Sequence, residues 1–219
     1  METKDRLNQL SPLTDKDHFF KKSVDQYTAA WQQKRFESFG GYADKYKVAF
    51  DRLIDVIRDN PDNKDQLAYP IMFLARHIIE LRLKELVQLC NGEVVIFQKK
   101  VKCKLLELPD NFECKNNINK NKKEPTHSLS SLWNEFAKLY SSSEKNECYP
   151  KVGNLITELH QMDNHSDTFR YPIHKNGTPT AISEFVDVKN FIEVFLKVDD
   201  ILKGLENELN QALDEMSNI

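Results

Sequence analysis

The chain is predicted to be an all-α helical bundle, a single domain over residues 1–219, on three observations. Apolar residues return at spacings of three and four over most of its length, the period of helices with one buried stripe. With 219 residues, 40% of them apolar, it can bury one sizeable core but hardly two. Strand-like composition is confined to one polar insertion, residues 91–125, between the third and fourth expected helices.

A first helix is expected from about His18 to Phe36, where Phe19, Phe20, Val24, Tyr27 and Trp31 share a face and Gly40-Gly41 follows as a stop. A second is expected from about Tyr42 to Arg58. Tyr46, Phe50, Leu53, Ile54 and Ile57 form its stripe, and Asn60-Pro61-Asp62 makes the turn. These two would pair antiparallel.

The third helix, from about Leu67 to Leu89, separates into two faces when its residues are placed at steps of about 100°. Leu74, Ile78, Leu81, Leu86 and Leu89 fall on one broad arc. Opposite lie Arg76, His77, Glu80, Lys84 and Gln88, with Arg76, Glu80 and Lys84 set four apart, the ladder of a solvated face. Arg82 falls near the middle of the apolar arc, and Glu85 lies three residues on. A buried guanidinium costs on the order of several kcal/mol unless it is paired. Arg82 and Glu85 are therefore expected to satisfy one another, or to face an interface or a site. Arg76, His77, Glu80 and Arg82 are the polar groups of this helix that qualify for burial or an interface.

In the insertion, Glu93-Val-Val-Ile-Phe97 has strand composition and is followed by Lys99, Lys100, Lys102 and Lys104, the pattern of a short β-hairpin with one charged face. Eight lysines against five acids between Asn91 and Pro125 give a local positive charge that could touch a phosphate backbone or simply solvate the segment. Helix is expected again after Thr126, with Leu129, Leu132, Trp133, Phe136 and Tyr140 on one face. It returns from about Tyr149 to Met162, with Val152, Leu155, Ile156 and Leu159. The last helix is expected from about Ser183 to Met216. Its apolar heptad pattern, Val188 through Leu202 to Met216, asks for a helix to pack along, in this chain or in a second copy. It carries nine carboxylates against three lysines from Ser183 to Glu215, so it is a poor face for nucleic acid.

Composition excludes several classes. A formal charge of −3 and a pI near 6.1 leave no overall field for nucleic acid, so any such binding must be local. No apolar run approaches the roughly 20 residues that cross a bilayer, and Met-Glu-Thr-Lys-Asp-Arg-Leu is not the design of a signal peptide. A cytoplasmic protein with no membrane partner is expected. The cysteines at 90, 103, 114 and 148 never take the Cys-x-x-Cys spacing of a zinc grip, so no metal or other cofactor is expected.

The stretch Asp163 to Pro179 concentrates ionisable groups: Asp163, His165, Asp167, Arg170 and His174, closed by Gly177-Thr-Pro. It reads equally as a site, or as a capped helix connection whose acids satisfy backbone N–H groups and whose arginine makes a structural ion pair.

Two segments carry a resemblance. Tyr69-Pro-Ile-Met-Phe-Leu-Ala-Arg-His-Ile-Ile-Glu-Leu-Arg-Leu-Lys-Glu-Leu86, with His127-Ser-Leu-Ser-Ser-Leu-Trp133 and Asp167-Thr-Phe-Arg-Tyr-Pro172, resembles the HEPN superfamily of all-helical proteins common in bacterial toxin–antitoxin and phage-defence systems. The likeness runs from about Tyr42 to Leu205 outside the insertion. It implies a HEPN-like helical bundle, a homodimer, and as partners RNA and a cognate antitoxin or defence-system protein. Active members are metal-independent ribonucleases whose arginine is followed after four to six residues by a histidine. Arg170 and His174 match that motif with three intervening residues, Pro172 among them.

Carried over, Arg170 would clamp the phosphate and His174 would move the proton, with His165, Asp163 or Asp167 completing or orienting the pair. Products would end in a 2′,3′-cyclic phosphate. The shortened spacing and acidic last helix fit instead a non-catalytic HEPN-like module that binds a partner protein or nucleic acid. Both readings stand at this point.

Overall fold

A computed structural model describes residues 38–105, 127–140, 148–163, 166–173, 177–180 and 186–217, with the backbone alone for 92–105, 148–149 and 216–217. These residues form an all-α bundle, with no strand among them. The first expected helix, His18 to Phe36, lies outside the described residues.

Helix α1, Phe39–Asp59, opens at Ser38, whose hydroxyl accepts a hydrogen bond from the Gly41 N–H at 3.1 Å. The glycine pair expected to stop a helix thus forms the first turn of one. At the far end the Asn60 N–H donates to the Val56 carbonyl at 3.0 Å, and the Asn60 side chain accepts from the Asp62 N–H at 3.1 Å. That cap starts a short 3-10 turn, Pro61–Asn63, which leads directly into α2, Lys64–Leu105.

Helix α2 is buried on several sides. Ile71, Ala75, Ile78, Leu83, Leu86 and Cys90 are all core residues, a set too wide for one stripe, so neighbours must pack around it. They are α1, α3 (Leu129–Leu139) and α5 (Val188–Ser217), while α4 (Cys148–Met162) packs on α3. Phe50 of α1 meets Phe195 of α5 with ring centroids 4.4 Å apart. Gly153 of α4 lets the Trp133 indole in, since a Cβ there would stand 2.5 Å from its Nε1.

Two expectations are corrected. Residues 91–105 continue α2 as helix, so the predicted hairpin does not begin at Glu93. The β-branched Val94, Val95 and Ile96 prefer strand only weakly, and adding turns to an existing helix avoids the cost of nucleation. The rest of the insertion, 106–126, lies outside the described residues. The last helix starts at Val188, where the Asp187 carboxylate caps it by accepting from the Asn190 N–H at 3.0 Å; Ser183, the expected start, lies outside the described residues. Its heptad face, through Phe195, Val198, Leu202, Leu205 and Leu209, is buried within this chain, packed against α2.

Candidate functional site

Helix α2 carries two buried arginines, each 1% exposed, and each anchors a separate polar network. Six residues turn Arg82 about 120° from Arg76 around the helix axis, so the two guanidinium groups serve different sides of the bundle.

Arg82 ties helices together. Its Nε lies 3.1 Å from Asp199 Oδ1 and its Nη1 3.0 Å from Glu206 Oε2, both on α5. Nη2 lies 2.6 Å from Asp44 Oδ1 on α1, and Nη1 also donates to the Gly40 carbonyl at 3.3 Å. Glu85, the partner expected from sequence, instead accepts the Gly40 N–H at 3.0 Å. A methyl at position 40 would collide with the Glu206 carboxylate, so glycine is required for this approach. Burial alone would lower the Arg82 pKa, but Asp44 and Asp199 more than reverse it. Burial and the neighbouring Glu85 and Asp44 charges push the Glu206 carboxyl above its ordinary value even though Arg82 pulls it down. Burial likewise acts to raise Asp44, yet hydrogen bonds from Lys203 and Arg82 hold it low.

Arg76 ties connections together. Its Nη1 donates to Glu80 Oε2 at 2.7 Å, its Nη2 to the His127 carbonyl at 2.8 Å, and its Nε to the Asp163 carbonyl at 3.4 Å. Asp163 Oδ2 sits 3.0 Å from the same Nε, off the direction of the N–H, as an ion contact. His127, two residues before α3, and Asp163, the residue after α4, are therefore fastened to one guanidinium. Glu80 is 2% exposed, which corrects the expectation of a solvated Arg76–Glu80–Lys84 ladder. The ladder exists, with Lys84 Nζ 2.7 Å from Glu80 Oε1, but His127 and Asp163 lie against its Arg76 and Glu80. Burial would raise the Glu80 pKa, but hydrogen bonds from Lys84, Arg76 and His127 bring it below its usual value.

The predicted loop is held by the Asp163 carboxylate and by backbone hydrogen bonds. Asp163 Oδ1 accepts the Thr168 N–H at 3.0 Å, and the Asp167 carbonyl accepts from Arg170 N at 3.0 Å and Tyr171 N at 2.9 Å. Ser166 takes φ 60°, the left-handed region, to make the turn. Ile173 and Pro179 form a β-bridge, the Thr180 N–H donates to the Pro172 carbonyl at 3.1 Å, and the Thr180 hydroxyl donates to the Tyr171 carbonyl. Asp163 and Asp167 are buried while Arg170 is exposed. Among the described residues no carboxylate pairs with Arg170. Its guanidinium carbon stands 5.9 Å from the centre of the Phe73 ring and 5.7 Å from that of Tyr171. His165 and His174 lie outside the described residues.

Beside Arg170 on α2, the half-buried His77 stacks on Phe73 at 5.9 Å and meets Tyr46 edge-on at 4.6 Å. Burial lowers its pKa, against the pull of Glu80, and Lys84, Arg76 and Arg170 lower it further. It is a neutral ring at neutral pH.

Sequence reasoning missed His127 as a site residue. Its side chain is 75% exposed, yet Nδ1 lies 2.8 Å from Glu80 Oε1. No period or motif announces that contact, which spans 47 residues. The Arg82 partners left a fainter trace: Asp199 lies three residues before Leu202 and Glu206 three before Leu209, carboxylates set beside an apolar stripe opposite a buried arginine. No helix among the described residues is long and apolar enough to cross a membrane, and no group of three or more potential metal ligands occurs among them. No family model, curated protein or solved structure matches the chain.

Proposed function

We propose that the protein is a HEPN-like, metal-independent ribonuclease of a defence or toxin–antitoxin setting, acting in the cytoplasm as a homodimer, with Arg170 as its phosphate clamp. One observation carries the reading: Arg170 is solvent-exposed with no carboxylate partner among the described residues, on a turn held by the Asp163 carboxylate and the Asp167 carbonyl. Such a cation is available for a phosphate, and the exposed Tyr171 ring beside it offers a face on which a base can stack. In this reading His174 moves the proton, and Arg170 stabilises the charge that builds on phosphorus in the transition state.

The test is incubation of the full chain with mixed cellular RNA in EDTA, beside Arg170→Ala and His174→Ala variants of parental melting temperature. Cleavage by the parent alone, leaving 2′,3′-cyclic phosphate ends, is the expected result. A second reading, a non-catalytic module that binds a partner protein or RNA, draws on the acidic outer face of α5. It predicts RNA or protein capture without cleavage.

A further inference from the structure

A buried ion pair, costly to build, serves an exposed side chain. Taking Arg76 and Glu80 out of water carries a penalty of several kcal/mol per ion by order of magnitude. What this buried pair holds is His127, twice over: Arg76 Nη2 fixes its backbone carbonyl at 2.8 Å, and Glu80 Oε1 fixes its ring Nδ1 at 2.8 Å. A carboxylate oxygen only accepts, so the Nδ1 facing it carries the hydrogen. The neutral imidazole then has its lone pair on Nε2, the nitrogen not engaged by Glu80, on a ring that is 75% exposed. A carboxylate fixing the tautomer and direction of an imidazole is the arrangement by which enzymes prepare a histidine to accept a proton.

The placement of this dyad matches that of Arg170. Phe73, His77, Glu80 and Lys84 follow one another at spacings of four, three and four, a single stripe along α2. Arg170 stands against Phe73 at one end, and His127 and Lys84 meet Glu80 toward the other. The two ends are about 10 Å apart along the axis. The ring of His77 lies between them, within electrostatic reach of Glu80, Lys84, Arg76 and Arg170.

We infer that His127, aligned by Glu80, takes the proton-transfer part given to His174 above, in a phosphodiester site whose other end is Arg170, with single-stranded RNA as the substrate class; the catalytic part of this rests on the ribonuclease reading above. His127 Nε2 takes the proton of a ribose 2′-hydroxyl, and O2′ forms a bond to phosphorus. The bond from phosphorus to the 5′-oxygen breaks, and the proton held by His127 is returned to that oxygen, which restores the imidazole. The products are a 2′,3′-cyclic phosphate and a 5′-hydroxyl, with no metal, oxidant or further reactant consumed. Arg170 meets the charge on the phosphoryl oxygens. Glu80 is a positioning residue.

The experiment has two arms. In the first, imidazole nitrogen signals of the full chain are followed by NMR during titration with a 2′-deoxy oligonucleotide, which has the phosphodiester but cannot be cleaved. The expected result is a saturable shift of His127 Nε2 that Arg170→Ala abolishes. In the second, RNA cleavage is measured across RNA concentration for the parent, His127→Ala and Glu80→Gln. His127→Ala is expected to lose about a hundredfold or more in rate at unchanged melting temperature, because the ring is exposed. Glu80→Gln is expected to lower kcat with KM unchanged, since the amide no longer fixes the tautomer and direction of the ring, an effect that a fall in stability alone does not produce. A parent that cleaves, with His127→Ala cleaving equally well, overturns the assignment of His127 and leaves the ribonuclease reading standing. A parent that never cleaves, with the His127 shift intact, overturns the ribonuclease reading and the proton transfer while the phosphodiester site stands. No shift on titration overturns the site.

Discussion

Arg76 and Arg82 sit on one helix with the same 1% exposure and both face carboxylates, yet the networks around them differ in charge balance. Around Glu80 three nitrogen donors converge, from Arg76, Lys84 and His127, and its pKa falls. Around Arg82 three carboxylates converge, from Asp44, Asp199 and Glu206, with Glu85 close enough to raise Glu206. The first network reaches the surface and ends on an exposed imidazole. The second joins α1, α2 and α5 and holds more negative charge than its arginine can neutralise. A buried arginine can thus fasten a fold or support a site, and the identity of its partners tells which.

The largest expected effects come from removing either guanidinium. Arg76→Met and Arg82→Met should each cost about 3–5 kcal/mol in denaturant unfolding, because each strands carboxylates in the interior. They should differ in kind. Arg76→Met frees both anchored connections and should open the 163–180 loop to limited proteolysis under native conditions. Arg82→Met should leave that loop protected and loosen the contact of α1 with α5.

The acids separate the networks more sharply. Glu80→Gln should cost about 1–3 kcal/mol, the loss of charge-assisted hydrogen bonds to three donors. Glu206→Gln should be neutral or stabilising at pH 7, although Glu206 touches Arg82, because burial and the neighbouring carboxylates raise its pKa on folding, so its charge is less favourable in the folded chain than in the unfolded one. Equilibrium unfolding of both variants beside the parent decides it.

Titration gives the same contrast with opposite signs. The Glu206 pKa is raised above 4.5, so the folded state binds more protons as pH climbs from 4.5 to the raised value, and stability falls across that window. The Glu80 and Asp44 pKa values are lowered, so their contribution is full above the ordinary values and is lost as pH drops through the lowered ones. His77, lowered from 6.5, adds stability as pH rises to 6.5. Glu206→Gln should remove only the falling component, so its advantage over the parent should be nil below about pH 4.5 and constant above the window. The smallest effect belongs to Gly204→Ala on α5, where nothing lies within 4 Å of the added carbon. It should stabilise by about 0.5–1 kcal/mol. Gly40→Ala should destabilise by displacing the Glu206 carboxylate from Arg82.

The fold was legible where the sequence is periodic. Phe50, Ile78, Leu86, Phe136 and Leu202 are all core residues, and all lie on predicted stripes, because helical period is written into local spacing. Chain direction at residues 93–105 was not legible, since a run of Val and Ile describes side chains and not the helix already growing into them. The site was legible in part. Arg170 was singled out as a candidate by the crowding of charge in its loop, and it is exposed there. The burial of Arg76 and Glu80 was left open between a solvated face and a covered one, because an i, i+4 ladder looks the same under solvent or under another segment of chain. The partners of Arg82 were hidden for a related reason: Asp199 is 117 residues away, while Glu85 was merely near in sequence.

The angular offset between the two arginines restricts how the gene can vary. Inserting or deleting one residue between positions 76 and 82 would swing one guanidinium about 100° relative to the other and shift it by about 1.5 Å, so whichever network kept its alignment, the other would be lost. Substitutions can drift through this interval, but its length cannot. Changes of length in α2 should be confined to stretches outside it.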